Sequence, residues 1–448
     1  MLGYLEALLG AMRPAFSRRA PFVWFVVMFA GFVVRNDDYG VTSIVRALAL
    51  APACYPSLLN FFHSSAWSAA SLRVCWRQWL VNQQVASQEN GRIVILGDHT
   101  KTPKDGRRIP AVATMHEDSE TASKPSFFRG HHWACLALSV VTATRRLAAP
   151  LWAEIHHEDW EESRATRLVG EAGRLAQAMS QPAYLVLDAF FAVGPVLREA
   201  ATFGGQLHIL TRAKKNIVAY LPPAEPPTPR RGRRRKYGGK LKLTTLFDAW
   251  PRRFKTAETL VYGKQETARY LMLDLIWKPA GGLVRFFLIQ TGRGRIILLT
   301  SDLTMQPMTA LSLYCRRAAI ETLFHSLKNI LGAMRYHFWS RYLTPSSRRP
   351  TKNQTPAQSS NPQKTRNTLE AIEKFLHVAM IVLGALQLLA CRCGQQIHSQ
   401  AHCWLRTPCG PNPSEFVTRT ALANTILANL HGSAKDTITR AIREKQNT

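Results

Sequence analysis

Three acids in this chain stand where acids can act together. Asp98 ends the run RIVILGD and Asp188 ends AYLVLD. Both runs are short and aliphatic and read as buried strands. Glu321 lies in Leu313–Ser340, where apolar residues recur at helical spacing. Ends of neighbouring parallel strands share one edge of a sheet, so Asp98 and Asp188 can meet there, and a helix packed on that sheet can bring in Glu321. Clustered carboxylates ionise together only when a cation offsets their repulsion. An all-oxygen ligand set favours Mg²⁺ or Mn²⁺. Two such ions would activate water or a 3′-hydroxyl and stabilise the leaving oxygen of an in-line phosphoryl displacement. Taken singly, each acid has the plainer reading of a helix N-cap or a salt bridge; that reading weakens when the three are taken together.

The helix that must carry Glu321 has its own pattern. At about 100° per residue, Tyr314, Arg317, Glu321, His325 and Lys328 fall in one stripe about 80° wide. Ile320, Leu323, Phe324, Leu327, Ile330, Leu331 and Met334 fall opposite, as on an amphipathic core helix. One carboxylate among cations and a phenol suits a metal site that faces phosphates. A surface helix laced with salt bridges is the alternative.

Charge points the same way. Lys and Arg total 58 against 29 acids, a net charge of +29, which calls for a polyanionic partner, nucleic acid before a membrane surface. The eight cysteines show no disulfide spacing and no secretory signal is evident, so they are expected to be reduced and the protein cytoplasmic and nucleoid-associated. The apolar runs Ala20–Val34 and Leu376–Cys391 are shorter than the roughly 18–20 residues that span a bilayer, and core helices are expected instead.

In chain order, residues 1–90 read as helical, with Arg and Trp scattered in Ser68–Val85 as a possible DNA grip. Residues 91–215 read as three strands, helix, strand, helix, strand, a mixed α/β sheet covered by helices. Thr102–Arg108 reads as a turn, Trp133–Ala143 as the second strand. Residues 216–305 hold a basic loop, RRGRRRKYGGKLK, with eight bases in thirteen residues, then a β-rich stretch in which LTTLFDAW, TLVYG, TARYLMLDLIW and a hairpin across Thr291–Arg293 read as strands. The loop's Arg233, Arg234, Arg235 and Lys236 are candidate phosphate contacts. Residues 306–340 hold the glutamate helix, 341–367 a polar linker, and 368–448 a helical end with helices near Glu415–Leu430 and Asp436–Lys445.

The spacing Tyr314, Arg317, Glu321, Lys328 resembles the Tyr-Arg-Glu-Lys signature of one group of bacterial insertion-sequence DDE transposases. VILGDHT and YLVLDAFF resemble the strands that end in that family's first two acids, and the intervals of 90 and 133 residues suit it. The resemblance spans roughly residues 90–340. It implies a ribonuclease-H-like mixed sheet with flanking helices, interrupted by a β-rich insertion domain before the glutamate helix. It implies Asp98, Asp188 and Glu321 as catalytic metal ligands and Tyr314, Arg317 and Lys328 as contacts to phosphates near the element's ends. The implied activity is metal-dependent cleavage at those ends and transfer of the freed 3′-hydroxyl into double-stranded target DNA, by two subunits acting across paired ends, with no membrane and no small-molecule substrate. In related enzymes an insertion-domain aromatic stacks on a flipped base; Trp277 is a candidate, a core tryptophan the favoured reading. The 27-residue segment Arg341–Asn367 departs from the family pattern, where a shorter passage is expected.

Two other functions stand beside this one: another ribonuclease-H-like nuclease, and an inactive DNA-binding derivative of a transposase. Cys391, Cys393, His398, His402, Cys403 and Cys409 are dense in ligand types but match no standard zinc spacing. His131 and His132, before a strand, suit an approach to the active site or a structural role equally.

Overall fold

The computed structural model describes residues 1–447 apart from 118–125, 143–144, 158–160, 225–234, 349–356, 402–411 and 433–434. The N-terminal region is helical: α1 (Leu2–Met12), α2 (Arg19–Val34), α3 (Gly40–Ala47), α4 (Cys54–His63) and α5 (Ala69–Asn82). Then follow β1 (Gln88–Glu89), β2 (Arg92–Pro103), β3 (Ala113–His116), β4 (Phe127–Val141), β5 (Arg146–Ile155), α6 (Arg164–Ala178), β6 (Ala183–Leu187), α7 (Gly194–Ala201) and β7 (Leu207–Arg212). The β-rich stretch holds β8 (Val218–Tyr220), β9 (Lys240–Lys242), α8 (Leu246–Ala249), β10 (Lys255–Val261), β11 (Lys264–Trp277), β12 (Gly282–Thr291) and β13 (Gly294–Thr300). The chain ends with α9 (Pro307–Arg316), α10 (Ala318–His325), α11 (Pro362–Arg392), α12 (Gly394–Gln400), α13 (Glu415–His431) and α14 (Thr437–Gln446).

The chain divides into two compact units. One comprises Met1–Val85, His99–Trp160 and Glu321–Thr448; the other comprises Ala86–Asp98 and Glu161–Ile320. The divisions fall inside β2, after Asp98, and inside α10, before Glu321.

The first unit is built around α11. Its most apolar window is 94% buried, against α2, α4, α5, α13 and β5. The helix has 31 residues, longer than the apolar run suggested, and by length and composition alone could cross a membrane; its burial makes it a core helix instead. Gly384 permits this packing, because a Cβ there would lie 2.3 Å from the Trp76 indole, which itself donates to the Pro150 carbonyl at 2.6 Å. β3 and β5 pair antiparallel with β4.

In the second unit the first half of β2 pairs parallel with β6, and β6 parallel with β7. β13 then joins β7 antiparallel, β12 joins β13 and β11 joins β12, with β10 and β8 also on β11 and β9 on β8. The result is a mixed sheet in which the β-rich stretch continues the strands from Arg92 onward edge to edge. α6 and α7 pack on β6 and β7.

Five sequence expectations change. LTTLFDAW is a 3₁₀ turn plus α8, not a strand, because its buried residues Leu243, Leu246 and Phe247 keep helical spacing. The Thr102–Arg108 turn starts later, since β2 runs to Pro103, and β4 starts earlier, at Phe127. The single helix over Leu313–Ser340 is broken: α9 stops at Arg316, α10 runs to His325, Ser326–Ile330 form a π-helical turn, and no helix continues past Leu331. The polar linker is shorter, because Asn361 caps α11 and Pro362 opens it, and Leu343 bridges Ser359.

Candidate active site

The second unit brings two of the three acids together. β2 and β6 pair from Ile93↔Ala183 to Leu96↔Val186, an offset of 90 residues, which is also the separation of Asp98 and Asp188. Carried two residues further, that offset sets Asp98 on β2 beside Asp188, which lies just past the last residue of β6, on neighbouring strands spaced about 5 Å. Both are partly exposed.

Each carboxylate is held. Asp98 Oδ2 accepts from Arg317 Nη1 at 2.8 Å. Asp188 Oδ1 accepts from the Phe190 backbone N–H at 3.0 Å, and the Asp188 carbonyl accepts from Thr211 Oγ1 at 2.5 Å. The plain readings of these acids, salt bridge and cap, are thus realised in the structure. α9 supplies the rest by packing its buried face, Ala310, Leu311, Leu313 and Cys315, toward β6, β7 and β10. Tyr314 hydrogen-bonds Arg317. Burial raises its phenol pKa, while Arg317 and Arg212 pull it down and Asp188 pushes it up. The phenol is therefore a neutral donor at pH 7. Tyr314, Arg317, Arg212, Asp98 and Asp188 form one polar group at the carboxyl ends of β6 and β7 and the middle of β2, the edge where open α/β sheets carry their sites.

Sequence reasoning missed two neighbours of that group. Arg212, the last residue of β7, carried no motif. Tyr262 sits in the two-residue turn between β10 and β11, where Val261 pairs with Lys264. Its φ is +49° and that of Gly263 +81°, a turn with both central residues left-handed. A bulky aromatic at such a position is uncommon. Tyr262 is 48% exposed, has the Arg293 guanidinium 4.9 Å from its ring centre, and feels the charge of Arg317. The signal available in sequence was an aromatic before Gly263 where Asn or Asp is usual.

In the first unit, Glu321 is exposed on α10, one turn after Arg317 in sequence. Lys328 lies in the π-helical turn and donates to Thr100 Oγ1 at 2.6 Å and the Lys101 carbonyl at 3.0 Å, so its ammonium is already engaged by β2. Two arginines cap that turn, the buried Arg35 on the Leu331 carbonyl and the half-buried Arg419 on the Ile330 carbonyl. Gly332, at φ +57°, then turns the chain away. The segment beyond is fixed by Tyr336. Its hydroxyl hydrogen-bonds His131 Nδ1 at 2.5 Å and accepts from Trp133 Nε1 at 3.1 Å, while His131 Nε2 reaches the Pro110 carbonyl at 2.7 Å. Burial drives the His131 pKa down to about 3, so the ring is neutral, with the proton on Nε2 and Nδ1 accepting from Tyr336. His131 is a core residue; His132 packs edge-on against His99.

Of the basic-loop candidates, Arg235 and Lys236 are exposed, and Arg233 and Arg234 lie outside the described residues. Trp277 is 5% exposed, a core residue. Cys391 and Cys393 are half-buried at the end of α11; His402, Cys403 and Cys409 lie outside the described residues. Among the described residues no group of three or more His, Cys, Asp or Glu side chains could hold a metal ion. The Asp98–Asp188 pair fits a hard divalent cation by donor type, and supplies two of the ligands one needs.

The family model described as DDE superfamily endonuclease matches residues 11–270, more than half of the chain. The match contains Asp98 and Asp188, ends before Tyr314, and reaches back through the N-terminal helices that the sequence resemblance left out. No curated protein matches. Among solved structures the chain is similar to piggyBac transposase, determined by cryo-EM as a synaptic complex with hairpin DNA, at 10% identity, covering 100% of this chain and 81% of that one with a TM-score of 0.38. That likeness is too distant to carry a role to any residue. On the family match, this chain belongs to the DDE superfamily endonucleases.

Proposed function

We propose that the protein is a DNA transposase of the bacterial insertion-sequence type that carries the Tyr-Arg-Glu-Lys signature, with a ribonuclease-H-like core. Membership of the endonuclease family supports DNA cleavage, and the net charge of +29 supports a nucleic-acid partner. The observation that carries the reading is the parallel β2–β6 register, whose offset of 90 residues is also that of Asp98 and Asp188, in a chain of this family. Glu321 is the proposed third acid.

Bound Mg²⁺ or Mn²⁺, proposed as two ions on Asp98, Asp188 and Glu321, would activate the attacking hydroxyl and offset charge on the leaving oxygen. The chain's own residues do the positioning. Arg317 orients Asp98; the Phe190 N–H fixes Asp188. Tyr314, kept neutral, donates to a phosphate oxygen, and Arg212 and Arg317 add positive charge where a phosphorane-like transition state gathers negative charge. Cleavage at the element's ends would be followed by attack of the freed 3′-hydroxyl on target duplex, with two subunits across paired ends, in the cytoplasm at the nucleoid.

The test is a plasmid carrying the coding region with its native flanks, incubated with the protein and Mg²⁺. Nicks mapping to paired inverted repeats, and insertion products in a second plasmid, support the reading. Nicking at scattered sites with no joined product would instead favour a nuclease.

A further inference from the structure

We propose that a pocket beside the candidate active site is a seat for a backbone phosphate of bound DNA. It is formed by the turn after β7, the start of β13 and the segment around α8, and encloses about 180 Å³. Arg212, Lys214, Lys215 and Arg295 line it together with Thr244 and Phe247, and no lining residue is acidic.

The local fold explains the cluster. The chain leaves β7 at Arg212 and turns at once, with the Ile217 N–H donating to the Lys214 carbonyl at 3.1 Å and the Ala213 N–H to the Ile297 carbonyl at 2.8 Å. That turn projects Lys214 and Lys215 into solvent while Arg212 stays half-buried. From the other side Arg295 is braced by Asp248 at 2.7 and 3.0 Å and lies over the Phe247 ring at 5.2 Å. Asp248 thus fixes the guanidinium while neutralising only one of the four cations.

Its ligand class follows. Two guanidiniums and two ammoniums with a hydroxyl suit phosphate oxygens. The apolar floor of Phe247, Ile296 and Ile297 accepts the sugar between phosphates. The inner wall, Arg212, is the residue whose charge reaches Tyr314, which in turn feels Asp188. A phosphate seated here would therefore hold a strand whose neighbouring phosphates reach the two acids. This assignment rests on the reading of the protein as a DNA-cleaving enzyme and adds where the strand is gripped.

The experiment uses the full chain and a labelled duplex of mixed sequence, read by fluorescence anisotropy over a range of salt. Lys214→Gln/Lys215→Gln, with and without Arg295→Gln, is compared with a control that removes charge from exposed residues elsewhere, Arg252→Gln/Lys255→Gln/Lys264→Gln. The pocket variants should bind about tenfold more weakly near physiological salt, and the slope of log affinity against log salt should fall by about 1 for each phosphate that is no longer held. The control should keep the wild-type slope. Equal losses in both sets, or no loss in the pocket set, overturn the proposal. So does micromolar binding of inorganic phosphate or thymidine monophosphate that the pocket variants abolish while the duplex slope stays unchanged, since that marks a small-anion site. Wild-type protein that binds no duplex sinks the DNA reading and this inference together; wild-type protein that binds and nicks DNA beside unaltered pocket variants sinks this inference alone.

Discussion

Arg317 donates from Nη1 to Asp98 Oδ2 across 2.8 Å, with both side chains mostly covered. The guanidinium offsets the charge of Asp98 on the strand that neighbours the one leading into Asp188. Replacing Arg317 by Gln leaves Asp98, near Asp188, without its counter-charge. The metal-free variant should lose about 1–3 kcal/mol of stability. Saturating Mg²⁺ should raise its melting temperature more than that of the wild type. An equal rise in both would show that the carboxylates do not bind the cation.

Tyr262 pays for its place. A non-glycine residue in the left-handed region costs roughly 1–2 kcal/mol, and Asn tolerates it better. Tyr262→Asn should therefore stabilise the fold by up to about 1 kcal/mol while weakening DNA binding, since the exposed ring beside Arg317 is removed. Denaturant melts and anisotropy on the same samples check both signs. A destabilised variant would show that ring packing outweighs the backbone strain.

Tyr336→Phe tests the core behind the glutamate helix. It orphans the Trp133 Nε1 donor and the His131 Nδ1 acceptor, both buried. The expected cost is about 1–3 kcal/mol. A loss below about 0.5 kcal/mol would mean that the two groups find other partners.

These residues mark how much could be read in advance. Asp98 and Asp188 were legible because each closes an aliphatic run and their spacing equals the register offset, although β2 continues past Asp98 to Pro103. Strands β6, β7 and β11–β13, and helices α13 and α14, were legible from apolar periodicity. The stop near Leu331 was not, because the apolar spacing runs on to Met334 and the last carbonyls of the π-helical turn are taken by Arg35 and Arg419 from elsewhere in the chain. α8 was misread because β-branched and aromatic residues hid the spacing of Leu243, Leu246 and Phe247. Arg212 and Tyr262 were invisible as site residues: only strand order and a hairpin turn bring them beside Tyr314.

Glu373 gives the first unit a pH signature. Burial, then the nearby Glu154, hold its carboxyl up at about 8, although the residue keeps a little surface, and it accepts from the Ile155 N–H at 3.1 Å. Its folded pKa lies above the unfolded value, so the folded state binds the extra proton. Its contribution is complete below about 4.5 and is lost as pH rises to about 8, with a slope of at most about 1.4 kcal/mol per pH unit. Glu373→Gln, which keeps the acceptor without the charge, should remove that slope and be the more stable protein at pH 8. Urea melts at pH 5 and pH 8 measure it; a wild type and variant with parallel pH profiles would contradict the assignment.

Asp98 and Asp188 are proposed to hold the cation that DNA cleavage needs. The direct measurement is Mg²⁺-dependent nicking of the plasmid bearing the native flanks by wild type, Asp98→Asn and Asp188→Asn, with duplex affinity measured on the same preparations. Each substitution should lower nicking by at least about 10³-fold while affinity stays within about threefold of wild type. Nicking by either variant at near wild-type rate, with the fold intact, would contradict it.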